Sequence, residues 1–290
     1  CITKEKIIWC IRQFKDFKAP GPDGIQNKIL TQLPAVALNL LKAIYTGSLQ
    51  LGYVPIKLRA STVIFIPKPG KPTYTVPKNW RPISLTNQLL KIQEKLIQVH
   101  TQGGEHPLQL DDRQHGFRAG RSCESALSRT INRIEMSFDS KQEAIGVSLD
   151  ISGAFDNVGF QQILAQLRTK QIDPKVCKWY GFLLKHRIVQ LAKGETKVSV
   201  TPTRGTPQGG VLSPTLGWAV AFDELLTLLS DLPVTFEAFA DDLYILGSGS
   251  NIHRSVHYVQ EAIHRAEQWA SSDTVGLQIS AAKTVAVRYS

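Results

Sequence analysis

Cysteine is scarce in this chain. Its 290 residues hold four, Cys1, Cys10, Cys123 and Cys177, and none forms a CxxC pair. That spacing argues against a disulfide framework and against a structural zinc site, and an intracellular compartment is expected. No apolar run approaches the ~20 residues of a membrane span, so no membrane partner is expected. Internal repeats and low-complexity tracts are absent. Pro69-Gly70-Lys71 lacks the preceding glycine and the following hydroxyl residue of a phosphate-binding P-loop. His253, His257 and His264 have helical spacing but no HExxH pattern, and read as a solvated helix face. No signal peptide is visible, and the chain does not begin with Met, which reads as a piece of a longer polypeptide.

What is present is basic and unevenly spread. The formal charge is +10. Residues 1–121 carry 18 Lys/Arg against 7 Asp/Glu, a net of +11, and residues 122–290 carry 16 against 17, a net of −1. A basic half beside a near-neutral half points to a lobe that faces a polyanion. Hydrophobic residues make up 42% and charged residues 20%, enough apolar material for a packed core.

Periodicity predicts mixed α and β structure. Leu33–Gly52 has helical spacing and ends on a glycine suited to a C-cap. Ser61–Ile66 is strand-like and stopped by Pro67. Further on, Ala144–Leu149 is predicted as a short strand ending in Asp150. Val158–Leu167 and Pro174–Leu184 read as helices, and Ile188–Val200 as a hairpin around Lys193–Glu195. Leu212–Leu229 reads as an apolar helix with Pro214 in its first turn. Val234–Ala240 and Leu243–Leu246 are predicted strands joined through Asp241-Asp242. Ile252, Val256, Val259, Ile263, Ala266 and Trp269 mark an amphipathic helix, and Thr284–Tyr289 a last strand. From residue 144 onward this order is a split, ferredoxin-like βαββαβ arrangement. Its first strand neighbours its central hairpin, so Asp150 is expected beside Asp241 and Asp242.

Two carboxylates in a tight turn, where Asn-Gly would be preferred, repel one another unless a cation offsets them. Oxygen ligands favour hard cations, magnesium first. Two such ions ~4 Å apart would serve an in-line phosphoryl transfer.

The motifs then carry a resemblance. FADD at Phe239–Asp242, DISGAFD at Asp150–Asp156, RGTPQGGVLSP at Arg204–Pro214 and GLQISAAKT at Gly276–Thr284 resemble the catalytic motifs of reverse transcriptases, in the family's order. KAPGPDGI at Lys18–Ile25, IPKPGK at Ile66–Lys71, NWRPISL at Asn79–Leu85 and QHGFRAGRS at Gln114–Ser122 resemble the finger motifs of non-LTR (LINE-type) retrotransposon enzymes in particular. The resemblance implies an α+β right-hand polymerase, with helix-rich basic fingers over residues 1–143 and a palm over residues 144–290. A segment near 174–215 is one that could return to the fingers, and the helical thumb is expected to be missing. It implies an RNA-directed DNA polymerase that adds dNTPs to a primer 3′-hydroxyl, with an RNA template and a DNA primer or RNA–DNA hybrid as partners. Two Mg²⁺ ions, with Mn²⁺ as a substitute, would be the cofactors. The remainder of its own polyprotein, thumb and endonuclease, would be a further partner, and the nucleus and a cytoplasmic ribonucleoprotein the location. An RNA-templated RNA polymerase, and an RNA-binding scaffold derived from a reverse transcriptase, are the alternatives.

The same resemblance assigns residues. Asp150, Asp241 and Asp242 would be catalytic metal ligands, with the Ile151 carbonyl completing the shell. Lys68 (or Lys71) and Arg81 would contact the triphosphate, and Lys283 the leaving pyrophosphate. Phe155 would lie under the sugar and exclude a 2′-hydroxyl. Gln208 would contact the nascent base pair, with Gly209 allowing close backbone approach. Phe117, Arg118 and Arg121 would form a template track.

Overall fold

The computed structural model describes residues 2–103, 107–193 and 196–290. Among the described residues nine strands follow one another: β1 (Ala60–Pro67), β2 (Trp80–Thr86), β3 (Glu143–Ser152), β4 (Ile188–Lys193), β5 (Thr196–Val200), β6 (Thr235–Phe239), β7 (Asp242–Gly249), β8 (Gln278–Ile279) and β9 (Val285–Tyr289). They divide between two sheets, each within one of two compact units. Among the described residues, no helix is long and apolar enough to cross a membrane.

The first unit combines residues 1–108 with 167–213. Its sheet has the order β2-β1-β4-β5. The helix Ala35–Leu51 stops where expected: Gly52 takes φ +63°, and its N–H returns to Ser48 and Leu49 carbonyls. Its buried face carries Tyr45, whose hydroxyl donates to the Leu89 carbonyl at 2.7 Å. Ser48 is buried one turn on and accepts from both Gln93 Nε2 and Trp179 Nε1 at 2.9 Å. Around them Ile7, Cys10, Ile11, Leu30, Leu38, Ile92 and Leu96 form a continuous core. Tyr45, Ser48, Gln93 and Trp179 thus each find a partner that lies far away in sequence. Several elements here escape a periodicity reading, among them the helices Lys4–Arg12, capped by Thr3, and Gln88–Gly103, and β2, whose Pro82 is tolerated because β2 is an edge strand. The predicted hairpin Ile188–Val200 is present as β4 and β5, although Gly194 and Glu195 lie outside the described residues. It extends this sheet by parallel pairing of β4 with β1.

The second unit combines residues 109–166 with 214–290. Its sheet runs β6-β7-β3, with β9 along the other side of β3 and β8 pairing the last two residues of β3. All of these pairings are antiparallel. From β3 onward the unit runs strand, helices, strand-strand, helix and then the short β8 and β9, with the first strand central. The helix Ile252–Ser271 begins at Asn251, whose side chain accepts from the His253 and Arg254 N–H groups. It packs on β7 and β3. The face it buries is Ser255, Val259, Ala262, Ala266, Trp269 and Ala270, so the seam is rotated relative to the expected one, and Val256 faces solvent. Close approach is the reason. A Cβ on Gly247 of β7 would lie 2.7 Å from Val259 and 2.9 Å from the Ser255 carbonyl, so small residues sit at the contact.

Three further expectations are corrected. Asp150 does not end its strand, because β3 continues through Ser152 on pairing with β8. The apolar segment expected as one α-helix opens as a π-helix over Ser213–Ala219, with Pro214 in its first turn, and becomes α-helical over Val220–Leu228. The compact units also do not meet at residue 143. The helix Cys123–Asp139, started by a reciprocal Ser122–Ser125 capping box, packs on β6 and β3, and a parallel bridge joins Gln114 to Ala238. These contacts draw residues 109–143 into the second unit, while residues 167–213 join the first.

Candidate active site

The tightest turn of the second unit carries two of the three acids. Phe239 and Asp242 pair across β6 and β7, leaving Ala240 and Asp241 as a two-residue loop. Ala240 takes φ +59° and Asp241 does not join it there, the pattern of a type II′ turn. Glycine is usual at that first position, and alanine bears a strain on the order of 1–2 kcal/mol. β7 then pairs with β3, placing Asp242 directly opposite Asp150. Residues paired in this way bring their side chains together on one face. Two strands therefore converge three carboxylates from positions 91 residues apart in sequence.

The electrostatics reflect that crowding. Burial raises the Asp241 carboxyl above the usual carboxylate range, and repulsion from Asp242 and Asp150 adds to it. Asp242 is raised in the same way, first by burial and then by Asp150. Lys283 opposes both shifts. Its Nζ donates to both carboxylate oxygens of Asp150, at 2.9 and 2.8 Å, from a short 3₁₀ turn after β8. An ammonium thus stands on the acid that the sequence assigns to a metal. As they stand, no three Asp, Glu, His or Cys side chains among the described residues close around a cation. The donor set is nevertheless that of a hard cation, and the repulsion that Lys283 only partly offsets is what a divalent ion would relieve. Ile151, the proposed carbonyl ligand, is buried and pairs with Ile279.

An aromatic run lies in the same unit. Phe155 follows Gly153, which adopts φ +63° to start the short helix Ala154–Asn157. The Phe155 ring, half-buried, meets Phe117 edge-on at 5.8 Å and stacks on Trp218 at 6.4 Å. Trp218 in turn stacks on Phe222. Phe117 itself has φ +61° and is 40% exposed. Arg118 and Arg121 differ from Phe117, because neither side chain is free to meet solvent phosphate without giving something up. Arg118 donates to the Asp111 and Gln114 carbonyls, and Arg121 pairs with Asp112 at 3.0 Å.

Sequence reasoning did not see what holds the turn. Gln114 is fully buried. Its Oε1 accepts from the N–H of Ala240 at 3.2 Å and of Gly116 at 2.8 Å, and its Nε2 donates to the Ala240 carbonyl at 3.3 Å. Trp218 Nε1 donates to the same carbonyl at 2.9 Å. Next to Gln114, the buried His115 ring bridges Ser125 Oγ at 2.6 Å and Glu237 Oε2 at 2.9 Å. The only signal in the sequence was that Gln114 opens the motif ending at Ser122.

The remaining predicted residues belong to the first unit. Lys68 sits at the end of the β1–β2 ladder with its Nζ on the Lys78 carbonyl at 2.9 Å. Arg81 is exposed on β2 opposite Ile66, and Lys71 is exposed between the two strands. Gln208 accepts from the Ser84 N–H at 2.7 Å through its backbone carbonyl. Gly209 has φ +129°, and a Cβ there would stand 2.6 Å from the Ser84 carbonyl, so this contact admits glycine alone.

Under that loop lies Glu94, another residue the sequence did not flag. It is 1% exposed, accepts from the Val211 N–H at 3.2 Å, and leaves Oε1 without a partner among the described residues. Burial pushes its carboxyl up to about 7, against the pull of the Val211 and Leu212 N–H groups and of Lys91. A carboxyl raised in the folded state binds its proton more tightly there than in the unfolded chain. Its stabilisation is therefore present below the unfolded value and is lost as pH rises from about 4.5 to about 7. Unfolding followed by circular dichroism should show stability falling over that window by an amount on the order of 3 kcal/mol at most. Glu94→Gln should flatten this component, and an unchanged pH profile would show that Glu94 is not its source.

Comparison with known families decides where this arrangement belongs. Residues 66–290 match the family model of reverse transcriptases (RNA-dependent DNA polymerases). The chain belongs to the reverse transcriptase family. Relatives of this reverse transcriptase include an RNA-directed DNA polymerase from the mobile element jockey of Drosophila melanogaster, 30% identical over 99% of the chain and 32% of the relative. A probable RNA-directed DNA polymerase from the transposon X-element of the same fly is 30% identical over 92% of the chain and 30% of the relative. A Pol polyprotein from the type-1 retrotransposable element R1 of Bradysia coprophila is 26% identical over 99% of the chain and 28% of the relative. The chain thus spans about a third of the length of these relatives. The resemblance to non-LTR retrotransposon enzymes, read first from eight short motifs, holds over most of the chain.

Proposed function

We propose that this chain is the polymerising core of an RNA-directed DNA polymerase that extends a primer 3′-hydroxyl with dNTPs on an RNA template, in the service of retrotransposition. The observation that carries the reading is the pairing of Asp150 with Asp242 beside the strained turn that holds Asp241. Family membership and the names of the relatives support it. In this reading the second unit is the palm and the first the fingers, and the longer relatives suggest a polyprotein that supplies a thumb and an endonuclease. A nuclear and cytoplasmic ribonucleoprotein location follows from the same analogy.

Asp150, Asp241, Asp242 and the Ile151 carbonyl would hold two divalent ions, Mg²⁺ with Mn²⁺ as a substitute. Bound there, the ions supply positive charge to the attacking and leaving oxygens of the transfer. Everything else falls to the chain's own groups. Lys283, which pairs with Asp150, would act on the leaving pyrophosphate. Lys68 and Arg81 meet the triphosphate, Arg81 as a planar fork and Lys68 as a point charge. Phe155 presents a flat apolar edge to the sugar. Gln208 meets the nascent pair over a backbone that Gly209 allows to come close. Phe117 stacks on the template strand, and Arg118 and Arg121 contact its phosphates only by exchanging Asp112 and backbone carbonyls for them.

The test is primer extension with Mg²⁺ on matched RNA and DNA templates, offering dNTPs or NTPs. Extension with dNTPs on RNA supports the proposal. A protein that binds RNA yet never extends a primer, beside an active control enzyme, would assign it instead to the scaffold class.

A further inference from the structure

The turn carrying Asp241 is held in an unfavourable conformation by groups that take no part in the proposed chemistry. Ala240 sits at φ +59° without the glycine that would make this easy. Alanine could relax toward φ below zero by rotating the Phe239–Ala240 and Ala240–Asp241 peptides. Either rotation would swing the Asp241 carboxylate away from Asp150. Both peptide groups of Ala240 are tied down. Gln114 grips them from both sides, its Oε1 on the N–H and its Nε2 near the carbonyl, and Trp218 holds the carbonyl a second time. A third restraint is steric. Gly116 lies so close that a Cβ on it would stand 2.3 Å from the Ala240 nitrogen.

Gln114 is itself fixed. The Gly116 N–H orients its Oε1, and the chain on both sides is bound to β6, through Ala238 N–H to the Arg113 carbonyl and His115 N–H to the Ala238 carbonyl, each at 2.8 Å. His115 adds a side-chain anchor to Glu237 on the same strand. The motif Gln114–Ser122 has so far been given only a template-side part. Its first residue faces the other way, into the turn.

We infer that Gln114 is a positioning residue for the reaction: it holds the Ala240 peptides so that Asp241 stays convergent with Asp150 and Asp242. Its side-chain amide is engaged by Ala240 and Gly116. A side-chain amide suits this position because it offers one acceptor and one donor to the two ends of a single residue, with no charge added beside three acids. Strain stored at a turn persists only where its surroundings over-determine it, and here three contacts do so. The inference rests on the reading that the three acids bind divalent ions.

Gln114→Met keeps the buried volume and removes both bonds to Ala240, together with the one from the Gly116 N–H. Measured by paramagnetic resonance of bound Mn²⁺ on the purified chain, its Mn²⁺ affinity should fall roughly tenfold. In primer extension, kcat should fall by roughly ten- to a hundredfold, as for other sub-ångström to ångström misplacements of reacting groups. The KM for dNTP and the affinity for primer–template should change less than threefold. Gly116→Ala, which pushes on the same nitrogen, should reproduce the pattern. Ala240→Gly removes the strain, so Gln114→Met in an Ala240→Gly background should recover most of the lost Mn²⁺ affinity. A Gln114→Met protein with wild-type Mn²⁺ affinity and kcat overturns the inference. So does one that is unfolded in both backgrounds, which would make Gln114 a stability residue. Wild-type protein that binds no Mn²⁺ sinks the metal reading itself, a distinct outcome.

Discussion

Asp241→Asn should abolish primer extension, lowering it by at least a thousandfold, while making the folded protein more stable in the absence of divalent ions. The two effects share one cause. Asparagine is nearly isosteric and keeps the turn, but it carries no charge. Asp241 is held half-buried beside Asp242 and Asp150, and both burial and repulsion raise its pKa. A carboxyl raised in the folded state contributes stability below its ordinary value of 3.8 and loses it as pH climbs past the raised one. Once ionised, the group is therefore a cost, which asparagine removes. The activity loss, about 4 kcal/mol or more of transition-state stabilisation, reflects the missing ligand charge. The measurement is thermal unfolding in EDTA and in Mg²⁺, together with extension and RNA binding. Wild-type protein should gain stability from Mg²⁺ by mass action and the variant should gain less. RNA binding should persist. A variant that still extends primers removes Asp241 from the catalytic set, and one destabilised in EDTA shows that the acid is compensated in the folded protein.

The second large effect is on sugar choice. Phe155→Val should raise the use of NTPs relative to dNTPs by roughly a hundredfold, about 2.7 kcal/mol of lost discrimination. The ring is fixed from two sides. Trp218 backs it at 6.4 Å, and Phe117 meets its edge at 5.8 Å. A ring so buttressed cannot yield to a 2′-hydroxyl by rotating away, whereas valine opens that volume. Phe155→Leu should fall between the two, which separates size from loss of aromatic packing. Single-nucleotide incorporation with each sugar, compared through kcat/KM, measures this. An unchanged ratio with reduced stability would return Phe155 to an ordinary core aromatic.

These expectations draw on different depths of information. The three acids were legible because each lies at the margin of a clear apolar run, and an Asp-Asp pair at a turn is a chemical anomaly on its face; the loop itself falls one residue earlier than expected, on Ala240 and Asp241. The helix Ala35–Leu51 was legible because its apolar spacing and its Gly52 cap are local. The seam of the helix Ile252–Ser271 was misplaced for the opposite reason. Hydropathy favours Val256 and Ile263, but Gly247 on β7 leaves room for only the small face that carries Ser255 and Ala262.

The sequence by itself determined much of the element order from residue 144 onward, the acids that end up near one another, and the family, because strand periodicity, turn chemistry and short motifs are written within a few residues. Only the tertiary structure decided that β3 runs past Asp150, that Asp242 is its partner, and that Lys283 lies on it from 133 positions away. Only the tertiary structure, too, decided that a glutamine 126 residues from Ala240 holds the turn, and that Glu94 is buried under the Gln208 loop. The physical reason is common to all of these. A buried polar group needs a partner, and which partner it finds is set by how elements pack, not by the residues on either side of it.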